Sequence, residues 1–300
     1  MHLPIAVSVL AACFAPLQPV TIEGYSDHAM EPFIARDGET LFFNNRNQPA
    51  EETDLHWATR IDDLTFLYRG RIASANSSHL DGVASLARDG TFAFTSLRAF
   101  ESDGATIWMG RWTGEAATDL ELVTQLRPGA PPRFNMDGEL SASGARFYVT
   151  DNRWALIGGL RTSDIRASVR EGGRWRRAPE YDDWFGAINT RDDLEYAPAT
   201  NEAETELYFT RLARRFLRAP RFETFVSVRS EASGPFGAPA RIGALQGYVE
   251  APTVAPDGAL YVHAMLNGRF TIMRSARECA AANDSERPQR AAPPRRKPRD

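Results

Sequence analysis

The sequence is dominated by a stretch that recurs five times. The first copy, Glu31–Arg46 (EPFIARDGETLFFNNR), predicts a strand, a tight turn at Asp37-Gly38 and a second strand. Asp-Gly is typical of such turns because glycine adopts a positive φ at little cost. The further copies are Asp81–Arg98, Asp137–Arg153, Glu195–Arg211 and Glu250–Ala264. Their turns lie about 50 to 60 residues apart, a period typical of propeller blades or solenoid units.

The segment before the first repeat predicts how the array closes. Pro19–Tyr25 matches Ala240–Tyr248, since both are β-rich runs that end in Gly-Tyr before the acid of an inner strand. The N-terminal strand has no earlier blade to join, so it would complete the fifth blade and remove an exposed sheet edge. The sequence therefore predicts an all-β fold, a five-bladed β-propeller of four-stranded blades in a closed ring.

The repeat resembles a known family. An acid, proline, Asp-Gly, a hydrophobic strand and a closing arginine are similar to the WD40-like PD40 β-propeller repeat of the TolB propeller domain. The match is clearest at Glu31–Arg46 and Glu250–Ala264, and it covers roughly residues 19–276. The resemblance implies a propeller and a general habit of binding, because a fold does not carry a function by itself.

The two ends predict export and a tail. Leu3–Ala12 is an apolar run of signal-peptide length, so we expect a signal at 1–18, the propeller at 19–276 and a disordered basic tail at 277–300. Leu10-Ala11-Ala12-Cys13 resembles a lipobox, so Cys13 would carry a lipid or be removed with the signal. A processed chain would then form no internal disulfide. The expected location is periplasmic or extracellular, with membrane contact only through that lipid.

Charge limits the partners. The formal net charge is −4, although six basic residues follow Glu286, so the body is more acidic than the total indicates. Nucleic acid is excluded as the main partner because phosphate binding needs a basic face. No phosphate loop, dinucleotide fingerprint or GxSxG motif occurs, so we predict neither a cofactor nor a catalytic residue.

The acids that open the inner strands are the main candidate site. Equivalent positions of the inner strands would form a ring at one mouth of the channel, where carboxylates could bind cations, basic peptides or sugar hydroxyls. The alternative is that these acids cap backbone N–H groups. The predicted channel-mouth ligand site comprises Glu31, Asp81, Asp137, Glu195 and Glu250. The arginines that end the second strands favour a structural role; they are Arg46, Arg98, Arg153 and Arg211.

Two histidines raise the question of a metal. His28 and His79 precede the first two inner strands and could join Glu31 and Asp81 in a His/carboxylate site. Their spacing is not that of a ligand pair, so we predict loop residues and no metal.

Two loops break the repeat and are candidates for specificity, since function is often carried by such insertions. The first spans 177–195 and could stack on a sugar or hold a peptide, or it could pack internally. The second, Arg211–Arg221, could hold an anion or form a solvated charge run. The predicted loop-binding residues are Tyr181, Asp183, Trp184, Arg214 and Arg215.

Together these features lead to a prediction of a non-catalytic scaffold that binds a protein or peptide in a bacterial cell envelope. The alternative is a carbohydrate enzyme, a glycoside hydrolase or lyase, that uses the channel-mouth carboxylates. Geometry would discriminate the two. Two or three carboxylates converging in a pocket favour the enzyme, whereas acids capped by backbone amides favour the scaffold.

Overall fold

The computed structural model describes residues 3–155, 159–214 and 219–279. They form five sheets around one axis, antiparallel except for one pairing of the N-terminal segment, and the predicted five-bladed propeller is confirmed. Each inner strand contacts the inner strands of both neighbouring blades, including the first with the fifth, so the ring is closed. Among the described residues, no helix has the length and apolar character needed to cross a membrane.

The elements follow the repeat. The chain begins with helix α1 (Leu3–Ala11) and the short strands β1 (Gln18–Pro19) and β2 (Thr21–Glu23). Blade 1 comprises β3 (Met30–Ile34), β4 (Thr40–Asn44), β5 (Leu55–Arg60) and β6 (Thr65–Arg71). Blade 2 comprises β7 (Asp81–Leu86), β8 (Thr91–Ser96), β9 (Ile107–Trp112) and β10 (Ala117–Leu122), with helix α2 (Phe100–Asp103) after β8.

The remaining blades are similar in plan. Blade 3 comprises β11 (Arg133–Leu140), β12 (Arg146–Trp154), β13 (Leu160–Glu171) and β14 (Arg174–Arg177). Blade 4 comprises β15 (Leu194–Thr200), β16 (Glu206–Ala213), β17 (Arg221–Val228) and β18 (Ala240–Arg241). Blade 5 comprises β19 (Val249–Val254), β20 (Leu260–Leu266) and β21 (Arg269–Ser275). Short 3-10 helices lie at Ala50–Glu52, Thr124–Leu126 and Pro179–Phe185.

The N-terminal segment was predicted to form one strand of blade 5. In the structure it forms two short strands, which belong to two different blades. Gln18 and Pro19 pair with β21 and complete blade 5 as expected. Thr21–Glu23 then pairs in parallel with β6 and becomes a fifth strand of blade 1. The segment thus fastens the last blade to the first and leaves neither outer edge free at that seam.

A disulfide closes the same seam. Cys13 is bonded to Cys279, and the chain segments beside them are joined by the bridge between Phe14 and Arg277. Helix α1 packs its buried residues Val7, Leu10 and Ala11 into the core between blades 4 and 5. The expectation of no internal disulfide applied to a chain processed after residue 18, whereas the chain described here retains Cys13.

Each inner strand carries a bulge at the same point. The pairing of inner and second strands shifts register once in every blade, and one non-glycine residue there has a positive φ. Such a backbone costs of order 1 kcal/mol or more, so its repetition marks a built feature that re-aims side chains. The bulge residues are Glu31, Val83, Asp137, Ala197 and Ala251.

Candidate active site at the mouth of the central channel

The five predicted acids separate into two groups, and two of them are capped. Asp81 is fully buried, accepts hydrogen bonds from Ser77 N and Oγ, and forms an ion pair with Arg98. Glu195 is fully buried as well; it accepts from Thr190 N at 3.0 Å and from Arg211 Nε at 2.8 Å.

The oxygens of these two carboxylates are therefore occupied by protein donors. The predicted structural role of Arg98 and Arg211 accounts for both ion pairs. We leave Asp81 and Glu195 out of the candidate site for that reason.

The other three acids converge near the axis. Glu31 and Asp137 are bulge residues of β3 and β11, and Glu250 comes immediately before the bulge of β19. The bulge residues of all five blades line a narrow axial cavity of about 30 Å³, which has room for water and not for a sugar ring. At this structural position blades 1 and 3 carry the carboxyl groups of Glu31 and Asp137, whereas the other three blades carry the apolar residues Val83, Ala197 and Ala251.

Glu250 is held by a hydrogen-bonding shell. Tyr196 Oη donates to Glu250 Oε1, and His263 Nε2 lies 3.2 Å from Glu250 Oε2. Tyr248 lies close enough for its hydroxyl to interact with the same carboxylate. Burial and the charge of Glu250 raise the pKa of Tyr196 well above its usual value, so Tyr196 stays protonated as a donor.

The tautomer of His263 follows from its neighbours. The backbone N–H of Glu31 donates to His263 Nδ1 at 3.2 Å, so Nδ1 carries the lone pair and a neutral ring has its proton on Nε2, facing Glu250. The bulge N–H groups of Val83 in blade 2 and Ala251 in blade 5 donate in the same way to side chains of the preceding blade, Asn44 Oδ1 and Thr210 Oγ1. His263 therefore accepts the bulge N–H of Glu31 at Nδ1 and places Nε2 near the Glu250 carboxylate.

The hydrogen bond from Glu31 N to His263 Nδ1 disfavours metal binding at this cluster. Possible ligand atoms of Glu31, Glu250 and His263 all lie within 4.8 Å of one another. A metal-bound histidine ordinarily donates its second ring N–H to an acceptor. Here the second nitrogen faces a backbone donor, so metal binding through Nε2 would set two N–H groups against each other. The cluster fits a hydrogen-bonded carboxylate network better than a metal.

Glu31 and Asp137 are electrostatically unequal. Burial raises the pKa of Glu31 and the charge of Glu250 adds to the increase, while a hydrogen bond from Asn47 Nδ2 at 3.3 Å opposes it. Burial and then the charges of Glu31 and Glu250 raise the pKa of Asp137 well above its usual value. Among the described residues, no arginine or lysine forms an ion pair with any of the three acids. Asp137 is consequently the carboxyl group most readily kept protonated.

The channel is closed beneath this cluster. Arg36 Nη2 donates to Glu139 Oε1 at 2.8 Å, and both side chains are buried. Arg36 also donates to the carbonyl oxygens of Leu140 and Thr200. Glu139 lines the narrow cavity, while Arg36 lines a separate pocket at the other end of the inner strands. The carboxylates are therefore reached from one side only.

On that side the cluster borders an open pocket of about 400 Å³. It is lined by Asn47, which contacts Glu31, and by Tyr248, which contacts Glu250, together with Met30, Arg46, Phe270 and His28. His28 Nδ1 accepts a hydrogen bond from Phe270 N at 3.0 Å. His79 is exposed and contacts Ser78, so the structure does not bring the two histidines together.

The loop residues are mostly used for packing. Trp184 is buried and stacks on Tyr181, with 4.0 Å between the ring centres. The guanidinium of Arg229 lies over the Trp184 ring, 4.7 Å from its centre. Arg214 donates to the backbone oxygens of Asp192 and Arg161. Asp183 is exposed, and Arg215 lies outside the described residues.

Sequence reasoning missed Tyr196, Tyr248, His263 and Asn47. Tyr248 was visible in the Gly-Tyr pair that precedes Glu250. His263 takes the place that Asn44 has in the first repeat, which an alignment of LFFN with LYVH would have shown. No local signal distinguishes Tyr196.

Comparison with known proteins supports the fold. No family model and no curated protein matches the chain, so membership of the PD40 family is not shown. Among solved structures, a protein described as a glycoside hydrolase is 11% identical with a TM-score of 0.60, covering 91% of this chain and 93% of the other. A family 117 glycoside hydrolase of Zobellia galactanivorans is 9% identical with a TM-score of 0.56, covering 88% and 90%.

Two further matches complete the comparison. A Bacillus subtilis arabinanase is 11% identical with a TM-score of 0.52, covering 83% of this chain and 94% of the other. TolB of Acinetobacter baumannii is 12% identical with a TM-score of 0.44, covering 84% of this chain and 55% of the other. The three matches with TM-scores above 0.5 support the propeller fold and, at these identities, nothing beyond it.

The prediction of a non-catalytic scaffold is contradicted. The similar propellers are mostly glycoside hydrolases, and the carbohydrate-enzyme alternative agrees better with these findings. A protein or peptide partner has no support here. Of the five acids, three converge near the channel axis and two are capped.

Proposed function

We propose that this protein is a carbohydrate-active enzyme that hydrolyses a glycosidic bond at the channel mouth. The observation that carries the proposal is the convergence of Glu31, Asp137 and Glu250, with unequal environments and no arginine or lysine paired to them among the described residues. Glycoside hydrolysis needs two carboxyl groups in different protonation states, one to protonate the leaving oxygen and one to act on the opposite side. The resemblance to propellers described as glycoside hydrolases supports this reaction class.

The environments divide the roles. Asp137, whose pKa is raised well above its usual value, is the general acid. The cavity that it lines holds water and no sugar ring, so its proton reaches the glycosidic oxygen through a water molecule as the C–O bond breaks. Within the described part of the chain the Glu31 carboxyl accepts one hydrogen bond, from Asn47, which leaves it able to act as base on a water molecule or as nucleophile at the anomeric carbon. Glu250 is positioned by Tyr196 and His263, and burial together with the charges of Glu31 and Glu250 keeps the proton on Asp137.

The first experiment is a hydrolysis screen. Arabinan, galactan and the matching 4-nitrophenyl glycosides would be incubated with the wild type, Asp137→Asn and Glu31→Gln. We expect each substitution to lower kcat by about 100- to 10,000-fold, the usual contribution of an acid or base. The matched control is Glu195→Gln, which changes a capped acid of the same ring and should leave kcat within a few fold while the fold is intact by circular dichroism.

Leaving-group dependence tests the acid. A 4-nitrophenolate group leaves with little protonation, so Asp137→Asn should lose less activity on the aryl glycoside than on the polysaccharide. Glu31→Gln should lose activity equally on both. Wild-type rates for Asp137→Asn and Glu31→Gln, or no hydrolysis of any substrate by the wild type, would contradict the proposal.

We also infer export to a periplasmic or extracellular location. The apolar run at Leu3–Ala12 supports export as a signal sequence. The Cys13–Cys279 disulfide is suited to an oxidising compartment as well, and it forms only in a chain from which residues 1–18 are not cleaved. A lipid on Cys13 and a disulfide at Cys13 are mutually exclusive, because both use the same sulfur atom.

A further inference from the structure

The open pocket beside the carboxylates has one aromatic wall. Tyr248 is 38% exposed, and its ring centre lies 5.4 Å from that of Phe270 and 4.2 Å from that of Phe222. The Phe270 ring in turn contacts His28 at 5.7 Å. Exposed aromatic faces of this kind suit the C–H face of a sugar ring, which is apolar while its hydroxyl groups point outward.

The facing wall is polar and close to neutral. Asn47 and Gln48 provide amide donors and acceptors for hydroxyl groups. Arg46, the charged side chain of this wall, is bound to Asp27 Oδ2 at 2.7 Å and to Glu52 Oε2 at 2.6 Å. Its guanidinium is therefore already paired with two carboxylates and is poorly placed to hold a further anion.

Two acidic groups lie directly behind the lining of the pocket. Asn47 Nδ2 donates to Glu31, and the Tyr248 hydroxyl interacts with Glu250, so a sugar on the aromatic wall is separated from these carboxyl groups by one side chain. Like charges repel one another in a partly buried site, where water screens them less than at the surface. A uronic acid would meet that repulsion without a free cation to offset it, whereas an uncharged sugar would not.

We propose that this pocket is the sugar subsite of the enzyme, with Tyr248 and Phe270 as its stacking face, and that the substrate is an uncharged glycan. The assignment rests on the proposed hydrolase function for the reaction, although the binding step is independent of turnover. A volume of about 400 Å³ lies toward the small end of ligand pockets, which suits a terminal sugar or two. Tyr248 has a second role, because its hydroxyl also contacts Glu250.

The test separates binding from catalysis. Asp137→Asn, which cannot turn substrate over at a normal rate, would be titrated by calorimetry with arabino- and galacto-oligosaccharides and with oligogalacturonides of equal length. We expect the neutral oligosaccharides to bind at least tenfold more tightly than the uronates. Equal or tighter binding of the uronates overturns the substrate class.

Three variants locate the subsite. Tyr248→Ala in the Asp137→Asn background should weaken neutral-sugar binding at least tenfold, whereas Tyr248→Phe should preserve binding and, in the otherwise wild-type enzyme, lower kcat. Trp154→Ala is the matched control, since Trp154 is 45% exposed and stacks on Phe134 in blade 3 outside this pocket. Unchanged binding in Tyr248→Ala, or an equal loss in Trp154→Ala, overturns the subsite.

The two proposals fail in different ways. Oligosaccharide binding that depends on Tyr248, combined with no hydrolysis by the wild type, supports the subsite and refutes the hydrolase. Hydrolysis that depends on Asp137 and is unaffected by Tyr248→Ala supports the hydrolase and refutes the subsite.

Discussion

Replacing Cys279 by serine should cost this propeller a large part of its stability. The disulfide joins residues 266 positions apart, at a Cα–Cα distance of 5.1 Å. Around it, Ala15 N donates to Ala276 O at 2.9 Å and Glu278 N donates to Cys13 O at 2.7 Å. The bond thus fastens the two ends of the ring at the seam where β1 completes blade 5.

The magnitude follows from the length of the closed loop. The chain-entropy relation gives about 5 to 6 kcal/mol for a loop of this length, and removing a native disulfide typically costs about 2 to 5 kcal/mol. The backbone hydrogen bonds at the seam remain in the variant and hold the ends together in the native state. We therefore expect the free energy of unfolding to fall by about 3 to 5 kcal/mol, against typical total stabilities of about 5 to 15 kcal/mol.

Urea denaturation followed by circular dichroism measures this change. Cys279→Ser, Cys13→Ser and the double variant should all have the same lowered midpoint, because either substitution removes the whole cross-link. Reduced wild type is the matched control and should behave in the same way. Additive losses in the double variant would show that the cysteines stabilise the fold through separate contacts.

Intact-mass analysis of the secreted protein decides whether the bond exists in the cell. A chain that retains Cys13 and is two hydrogens lighter than its dithiol form supports the disulfide. Two titratable thiols, a lipid on Cys13 or a mature chain that begins after residue 13 would refute the reasoning, and Cys279→Ser would then leave the midpoint unchanged.

Three further predictions concern buried charges. Asp137 has a folded pKa well above its usual 3.8, so folding takes up a proton above that pH and wild-type stability falls as the pH rises toward the folded pKa. Asp137→Asn should therefore be more stable than the wild type at neutral pH, with a flatter stability profile between pH 4 and 8 in urea titrations. Arg98→Ala leaves the fully buried Asp81 without its cation and should cost about 3 to 5 kcal/mol by urea denaturation. Arg36→Met should cost a similar amount because it leaves the buried carboxylate of Glu139 without its cation, and Glu139→Leu added to it should recover most of the loss in thermal scans.

The architecture could be predicted because each copy of the repeat has the same pattern of buried and exposed residues and therefore forms the same strands and turn. Five copies of strand, turn and strand at a blade-sized spacing leave few folds that bury every copy equally. The N-terminal segment was harder, since Thr21–Glu23 pairs in parallel with β6 and no local pattern reports a parallel pairing. The disulfide was beyond the sequence for a similar reason: only the closed ring brings Cys13 and Cys279 within bonding distance.

The loop residues illustrate an ambiguity that composition cannot resolve. Tyr181 and Trp184 stack on each other and pack under Arg229, as a buried loop requires. An exposed sugar-binding loop would have the same residue types. The proposed stacking surface is formed instead by Tyr248 and Phe270. Tyr248 immediately precedes β19, Phe270 lies in β21, and neither residue belongs to an insertion.

The division of the five acids, by contrast, follows a rule that the sequence contains. In four blades the bulge residue lies six positions before the turn residue: Glu31 before Asp37, Val83 before Asp89, Asp137 before Ser143, and Ala251 before Asp257. Alignment from the turn therefore places Glu31 and Asp137 at one structural position and Glu250 one residue away from it. Asp81 and Glu195 fall two residues before their bulges and pair with the arginines that end the second strands of the same blades. Alignment by the first acid of each repeat conceals this difference. The bulge is a feature of the backbone. Its position can be found by counting back from the turn, because the number of residues between bulge and turn is the same in those four blades.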